Sequence, residues 1–241
     1  MAISQFLEEK QVNMAAAVLA VIFVIISIIL GIAGGFMLAV GEVRRALISW
    51  GIVALFGFMG LILQALVLYQ WSAVINHNLS NTKQTFLYLK ERIEDPLRGE
   101  IGFFANRIED FTIPTWHYWV YLVMYVASLF TGWYAFLFNL LGFIFLAIYI
   151  HNIFKSTSKL SDLKDKIYRY LKEEKDVDLA GEVYRIPQRN IITFIILSVI
   201  TLSIYWLYLL VKLSSEINNY VKSDEKMRKE LEKAFGATIQ A

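Results

Sequence analysis

Four stretches without a single Asp, Glu, Lys or Arg govern what this chain can become: residues 12–40, 46–71, 115–154 and 191–211. A helix that crosses the hydrocarbon core of a bilayer needs about 20 predominantly apolar residues. The first stretch is too long for a signal-peptide core and is preceded by Glu8 and Glu9, so it reads as a retained helix. It joins the second through a tight turn at 41–45. Residues 115–154 are too many for one crossing and divide near Thr131-Gly132 into two helices. Residues 191–211 are about one bilayer long. Trp50 and Trp71 bracket the second stretch, Trp116, Tyr118, Trp119 and Tyr121 open the third, and Trp133 and Tyr134 sit at its division, where amphipathic rings favour the headgroup level.

The predicted fold class is therefore all-α and integral to the membrane. It has four to five transmembrane helices, as two hairpins plus a third apolar segment, with water-side coiled-coil-like extensions. Three units follow: 1–114 and 115–190 each hold a hairpin, an emergent helix and a connector, and 191–241 holds the third apolar segment and a charged C-terminal helix. Composition agrees, at 57% hydrophobic, 18% charged and a mean hydropathy of +0.52. Without cysteine, disulfide scaffolds, thiol nucleophiles and cysteine-ligated metals are excluded. A net charge of +2 gives no footprint for nucleic acid.

Lys and Arg stay on the cytoplasmic side of a membrane. If 191–211 folds back as a re-entrant hairpin, 21 basic residues fall on one side and two, Arg44 and Arg45, on the other. If it crosses, the division is 15 against eight. Charge favours the hairpin, with its bend at Thr201-Leu202-Ser203, and length favours a crossing. Both stay open at this stage, the hairpin being preferred. The chain is expected in the cell membrane as a multi-pass protein, its charged helices cytoplasmic.

Each apolar block runs without Pro or Gly into a polar segment of helical periodicity. The seam positions are Ile75, Leu79, Thr82, Phe86, Leu89 and Ile93; then Ile153, Ser156, Leu160, Leu163, Ile167 and Tyr170; then Leu213, Ile217, Tyr220, Met227 and Leu231, with Asp224 interrupting. Spacings of three and four make a coiled-coil seam. Two of these helices end on the same word, Tyr88-Leu89-Lys90-Glu91 and Tyr170-Leu171-Lys172-Glu173. Their other faces mix signs, as in Asp162, Lys164, Asp165, Lys166 and Glu173, and in Asp224, Glu225, Lys226, Arg228, Lys229 and Glu230. Mixed charge favours a water-side bundle, within one chain or between chains, over helices lying on the membrane, whose polar faces concentrate Lys and Arg. Segment 96–114, with Phe103, Phe104, Ile108 and Phe111, reads as a packed connector, and 176–190 as a linker.

The search for chemistry returns little. There is no glycine-rich phosphate loop, His-Glu-x-x-His or nucleophile elbow. No carboxylate lies inside an apolar stretch to couple a proton or sodium ion. No catalytic residue, cofactor or metal is expected; His77, His117 and His151 are the only set that would bind a transition metal if they converged. Inside the bilayer, Gln64 and Asn139 are read as helix-packing hydrogen bonders, as are Thr131 and Ser27. Gly31 and Gly35 form one G-x-x-x-G for close helix approach.

Residues 188–218 contain Thr201, Ile204, Tyr205 and Tyr208 in the spacing of a Thr-x-Gly-Ile-Tyr-x-x-Tyr core followed by a charged helix, with Ser203 where the pattern has glycine. The stretch resembles an uncharacterised prokaryotic membrane domain family of unknown function, and Thr131-Gly132-Trp133-Tyr134 looks like a shortened second copy. The resemblance implies a prokaryotic membrane protein and brings no activity with it. Three functions are carried forward. The first is a non-enzymatic scaffold or accessory subunit, a homo-oligomer or part of a membrane complex, assembling through its water-side helices. The others are an oligomeric channel or passive transporter past Gln64 and Asn139, and a membrane-shaping hairpin protein. In each the partner first in line is the lipid bilayer.

Overall fold

The computed structural model describes residues 8–94, 97–175 and 182–236, and among these it is helix, turn and irregular connector, with no strand. The elements are α1 (Met14–Ala39), α2 (Val43–Lys90), α3 (Leu97–Arg107), α4 (Trp116–Ser128), α5 (Ala135–Lys175), α6 (Ile191–Ile200) and α7 (Ile204–Gly236). Short 3-10 turns lie at Ile108–Phe111 and Gly132–Tyr134. Three helical segments are long and apolar enough to cross a bilayer: Met14–Ala39, Val43–Lys90 and Gly132–Glu173. This is the mark of a membrane protein. With no Pro or Gly to stop them where the apolar run ends, α2 continues for 48 residues and α5 for 41.

Three antiparallel hairpins follow one another along the chain. In the first, Ser49 Oγ donates to the Leu30 carbonyl at 2.9 Å, Ser27 Oγ to the Val53 carbonyl at 3.3 Å, and the Asn13 N–H to Gln70 Oε1 at 2.8 Å. These bonds pair α1 and α2 along their whole apolar length. The close approach falls at Gly34 and Gly60: a Cβ on Gly34 would meet the Trp50 ring at 2.7 Å, and one on Gly60 would meet Val24 at 3.2 Å. Gly31 and Gly35, expected to play that part, have nothing within 4 Å of a built Cβ and face away from α2. The second hairpin is α4 and α5, turning through 129–134 as the length of 115–154 requires. Segment 97–111 is a helix and a 3-10 turn packed with Leu97, Ile101, Ala105 and Ile108 buried, leaving Phe103 exposed.

The third hairpin is formed by the stretch on which charge and length disagree. Residues 191–211 bend at Thr201-Leu202-Ser203, and Phe194 returns to within ring contact of Tyr205 and Trp206. At its base, Arg189 on the incoming side holds Glu216 on the outgoing side through two bonds of 2.7 Å. The Ser203 N–H donates to the Ser198 carbonyl at 2.7 Å and the Leu202 N–H to Val199 at 3.2 Å. This 6→1 and 5→2 pair is a Schellman cap. The same pair closes α1, from Glu42 to Met37 and from Gly41 to Leu38. In α1 the left-handed residue is Gly41, at φ +84°; in α6 it is Leu202, at φ +49°, with Ser203 following at φ +72°. Thr201 holds the bend from its side chain, donating to the Leu197 carbonyl and accepting from the Tyr205 N–H at 3.0 Å.

A left-handed leucine costs about 1–2 kcal/mol that glycine avoids, less the roughly 0.5–1 kcal/mol of extra chain entropy glycine loses. Leu202→Gly is therefore expected to raise the thermal midpoint in detergent by a few degrees, measured by circular dichroism. No gain would mean that the turn is unstrained.

Bonds between hairpins fix their relative depth. Tyr118 OH donates to the Ala65 carbonyl at 2.9 Å and Tyr149 OH to Leu68 at 2.5 Å. Trp206 Nε1 donates to Gln64 Oε1 at 3.1 Å, and Trp71 Nε1 to Ser214 Oγ at 2.8 Å. Counting from these at about 1.5 Å per residue, the second turn lies beside residue 52 of α2 and the third between residues 55 and 60. The first two tips therefore rise about 42 and 28 Å above Trp71 and the third, counted also from the Val12–Asn218 and Asn13–Gln70 pairs, about 16–24 Å.

Candidate functional site

Beyond Trp71 the helices continue into a bundle whose centre is made by the predicted seam. Ile75, Leu79, Phe86, Leu89, Ile93, Leu160, Leu163, Ile167, Ile217 and Leu231 are all buried within the one chain. Phe86 stands edge-on to Tyr168 at 6.4 Å. The seam departs from expectation at its end on α5, where Tyr168 and Leu171 turn inward and Tyr170 stays exposed. From Ile167 the next inward step is four residues, to Leu171, rather than three.

A second correction concerns charge. Lys164 and Arg228, read from sequence among the mixed charges of the outer faces, and Asp224, read as an interruption of the seam, are at most 1% exposed and form the polar centre of the bundle. Lys164 Nζ bonds Asp224 Oδ2, Asn78 Oδ1 at 3.0 Å and Tyr220 OH at 2.9 Å. Arg228 bonds the Glu9 carboxylate, the Asn78 carbonyl at 3.3 Å and Thr82 Oγ1 at 3.2 Å. Asn78 Nδ2 bridges the two acids, donating to Glu9 Oε1 at 3.0 Å and Asp224 Oδ2 at 2.8 Å. Two carboxylates and two cations thus form a neutral quartet, with every partner on a different stretch of chain except Asp224 and Arg228, one turn apart in α7.

Buried ions keep their charge only when paired and hydrogen-bonded. Burial lowers the Lys164 pKa from the ordinary lysine range, and Asp224 offsets this only in part. For Arg228 burial pulls downward as well, but Asp224 and Glu9 more than offset it and the net shift is upward. Burial raises the phenols of Tyr168 and Tyr220, with Asp224 adding to the shift, so both stay protonated. Glu9 Oε2 and Asp224 Oδ1 are buried without a hydrogen-bond partner. The quartet is a lock: it joins the segment before α1 to α2, α5 and α7, at the root of all three hairpins. The same segment is clamped to α7 where Val12 N–H donates to Asn218 Oδ1 at 2.7 Å and Asn218 Nδ2 donates back to the Val12 carbonyl at 2.9 Å.

Sequence reasoning had one signal for this lock and read it as a fault. Asp224 falls on the seam, three or four residues from Tyr220 and Met227, and a charge at a seam position asks for an opposite charge in the same layer.

The other predicted residues are dispersed. His77 Nε2 lies 3.4 Å from the Glu8 carbonyl, His117 stacks on Trp116 with ring centroids 3.7 Å apart, and His151 is exposed. Among the described residues no group of three His, Cys, Asp or Glu side chains is placed to hold a metal. Gln64 bonds Trp206 across α2 and α7, whereas Asn139 lies on an exposed face of α5.

A family model described as a domain of unknown function (DUF4234) matches residues 189–237. That stretch is the third hairpin with the helix that follows it, the region in which the sequence resemblance lies. No curated protein and no solved structure matches the chain.

Proposed function

We propose that this chain is a non-enzymatic membrane-shaping protein, a one-sided wedge whose charged bundle faces the cytoplasm. The observation that carries the reading is the third hairpin, whose arm of ten residues is about 15 Å long, half the hydrocarbon thickness of about 30 Å. The first hairpin runs past the far boundary and ends in Glu42, Arg44 and Arg45, charges suited to water. The second reaches the level of Trp50 and ends in Trp133, fully exposed, a residue suited to the headgroup layer. The third ends in Leu202, which is 87% exposed and has no charged neighbour in the turn. An apolar side chain kept in a strained left-handed turn fits a tip held in hydrocarbon.

In this arrangement six helices occupy the near leaflet and four the far one. Two helices of 10–12 Å diameter add roughly 160–230 Å² to one leaflet. Because the ionic lock ties all three roots together, the hairpins cannot splay to relieve that difference. The basic residues support the cytoplasmic assignment, 21 lying on the bundle side and two at the first tip. The channel alternative is less well supported, since Gln64 is engaged by Trp206 and Asn139 faces outward. The scaffold alternative loses its motive where the seams are filled within one chain.

Reconstitution of the full chain at rising density into large vesicles tests the reading by electron microscopy. Narrow tubules or small vesicles are expected. Leu202→Asp puts a charge costing about 2.5–3.5 kcal/mol at mid-bilayer, and should abolish the effect while helicity is kept. Unchanged vesicle diameters with the unaltered protein would refute the wedge.

A further inference from the structure

The place where the second hairpin leaves the membrane and the third enters carries a pocket of about 490 Å³, walled by His151, Phe154, Lys155, Ser158, Lys159 and residues 188–191. We propose that it binds the headgroup of an anionic phospholipid, with the phosphate between Lys155 and Lys159.

The charge of the pocket is one-signed. Lys155 and Lys159 are exposed, one turn apart on α5, and neither forms an ion pair among the described residues. No acidic side chain lines the pocket. Asp162, the acid nearest in sequence to Lys159, is engaged by Arg185 at 2.8 Å, and Glu216 is held by Arg189 at 2.7 Å. Arg189 therefore contributes little net charge and serves to hold Gln188 and Asn190 in place. The ten-residue α6 opens at this spot, with Asn190 as its N-cap, so its positive dipole end faces the same space.

The stripe on α5 is shaped for a lipid rather than for a free ion. Residues 159, 155, 151, 148 and 144 follow one another at spacings of three and four, so they share a face. Along it two lysines give way to His151, then to exposed Ile148 and Ile144. Ile191 and Ile195 make a matching apolar row on α6, and Phe154 and Ile191 mark the edge of the charge-free stretches. A headgroup at the lysines would lay its chains along these isoleucines. Basic pockets between membrane helices on the cytoplasmic side recur as anionic-lipid sites.

Native mass spectrometry of the full chain in detergent, titrated with phosphatidylglycerol or phosphatidylcholine, tests the site. Each basic residue at such a surface adds about fivefold in affinity, so two predict about a thirtyfold preference for phosphatidylglycerol. Lys155→Ala with Lys159→Ala should remove most of that preference, and Lys155→Gln alone about a fivefold share. Lys222→Ala with Lys226→Ala, the same charge change elsewhere on the bundle, should leave it intact. Equal binding of the two lipids overturns the proposal. So does an equal loss in both double variants, or sodium phosphate that competes as well as the lipid. The site needs only the membrane edge at 154 and 191, so lipid preference without vesicle bending would uphold it while refuting the wedge.

Discussion

Lys164→Met is expected to be the most damaging conservative substitution outside the apolar core, lowering stability by about 3–5 kcal/mol. The methionine fills the same space, so the loss is electrostatic. Glu9 and Asp224 would share a single cation, Arg228, and one negative charge would be left buried beside oxygens that already lack a partner, Glu9 Oε2 and Asp224 Oδ1. At about 2–4 °C per kcal/mol for a chain of this size, the thermal midpoint should fall by roughly 6–20 °C. Asp224→Asn should be similarly costly, because it strands Lys164. By contrast, replacing Glu9, Lys164, Asp224 and Arg228 together with apolar residues of like volume should be near neutral or stabilising, since the desolvation cost of four ions vanishes with their attraction. A fourfold variant as unstable as Lys164→Met would show that the quartet is not an isolated electrostatic unit.

The pH dependence of the same pair has a definite sign. The Lys164 pKa is lowered on folding, so between its folded value and the free-chain value near 10.4 the unfolded chain binds more protons. Stability from this group therefore rises with pH across that window and falls as pH drops through it. The gap in thermal midpoint between the unaltered protein and Lys164→Met should widen as pH rises toward 10.4. A gap that narrows would mean that Asp224 outweighs burial.

The parts of this architecture legible in the sequence are those set by runs and periods. Charge-free length gave the helices, and the excess length of 115–154 placed the turn at 129–134. Charge counting favoured the bend at Thr201-Leu202-Ser203, although no glycine marks it. Glycine was the wrong thing to require there, because Thr201 braces the turn from both sides and Leu202 bears the left-handed φ. What periodicity does not carry is which of several adjacent faces meets a neighbour. Gly34 and Gly35 differ by 100° around α1, and only contact with Trp50 selects the first. The ionic lock was hidden for a related reason. Lys164 and Arg228 stand among other charges, and a list of signs along one helix cannot say that a cation nearly three turns from the membrane points at an acid 60 residues away.

A chain with no cysteine allows the proposed topology to be tested one residue at a time. Arg44→Cys, Lys159→Cys, Leu202→Cys and Lys222→Cys all fall at exposed positions, so none should disturb packing. In sealed vesicles, a membrane-impermeant maleimide is expected to label Lys159→Cys and Lys222→Cys from the same side. Arg44→Cys should label only from the other side, and Leu202→Cys from neither until detergent is added. The decisive pair is 159 and 222, because 191–211 lies between them. If that segment crossed, position 222 would share the side of position 44, and the third hairpin would be lost along with the wedge built on it. If 159 and 222 agree but Leu202→Cys labels from the far side, the tip reaches water and the two leaflets hold equal numbers of helices. The wedge then has no asymmetry to act with. Only shared sidedness together with a shielded tip leaves a hairpin held at half depth, which is the arrangement that Leu202, at φ +49° and facing outward, is built to occupy.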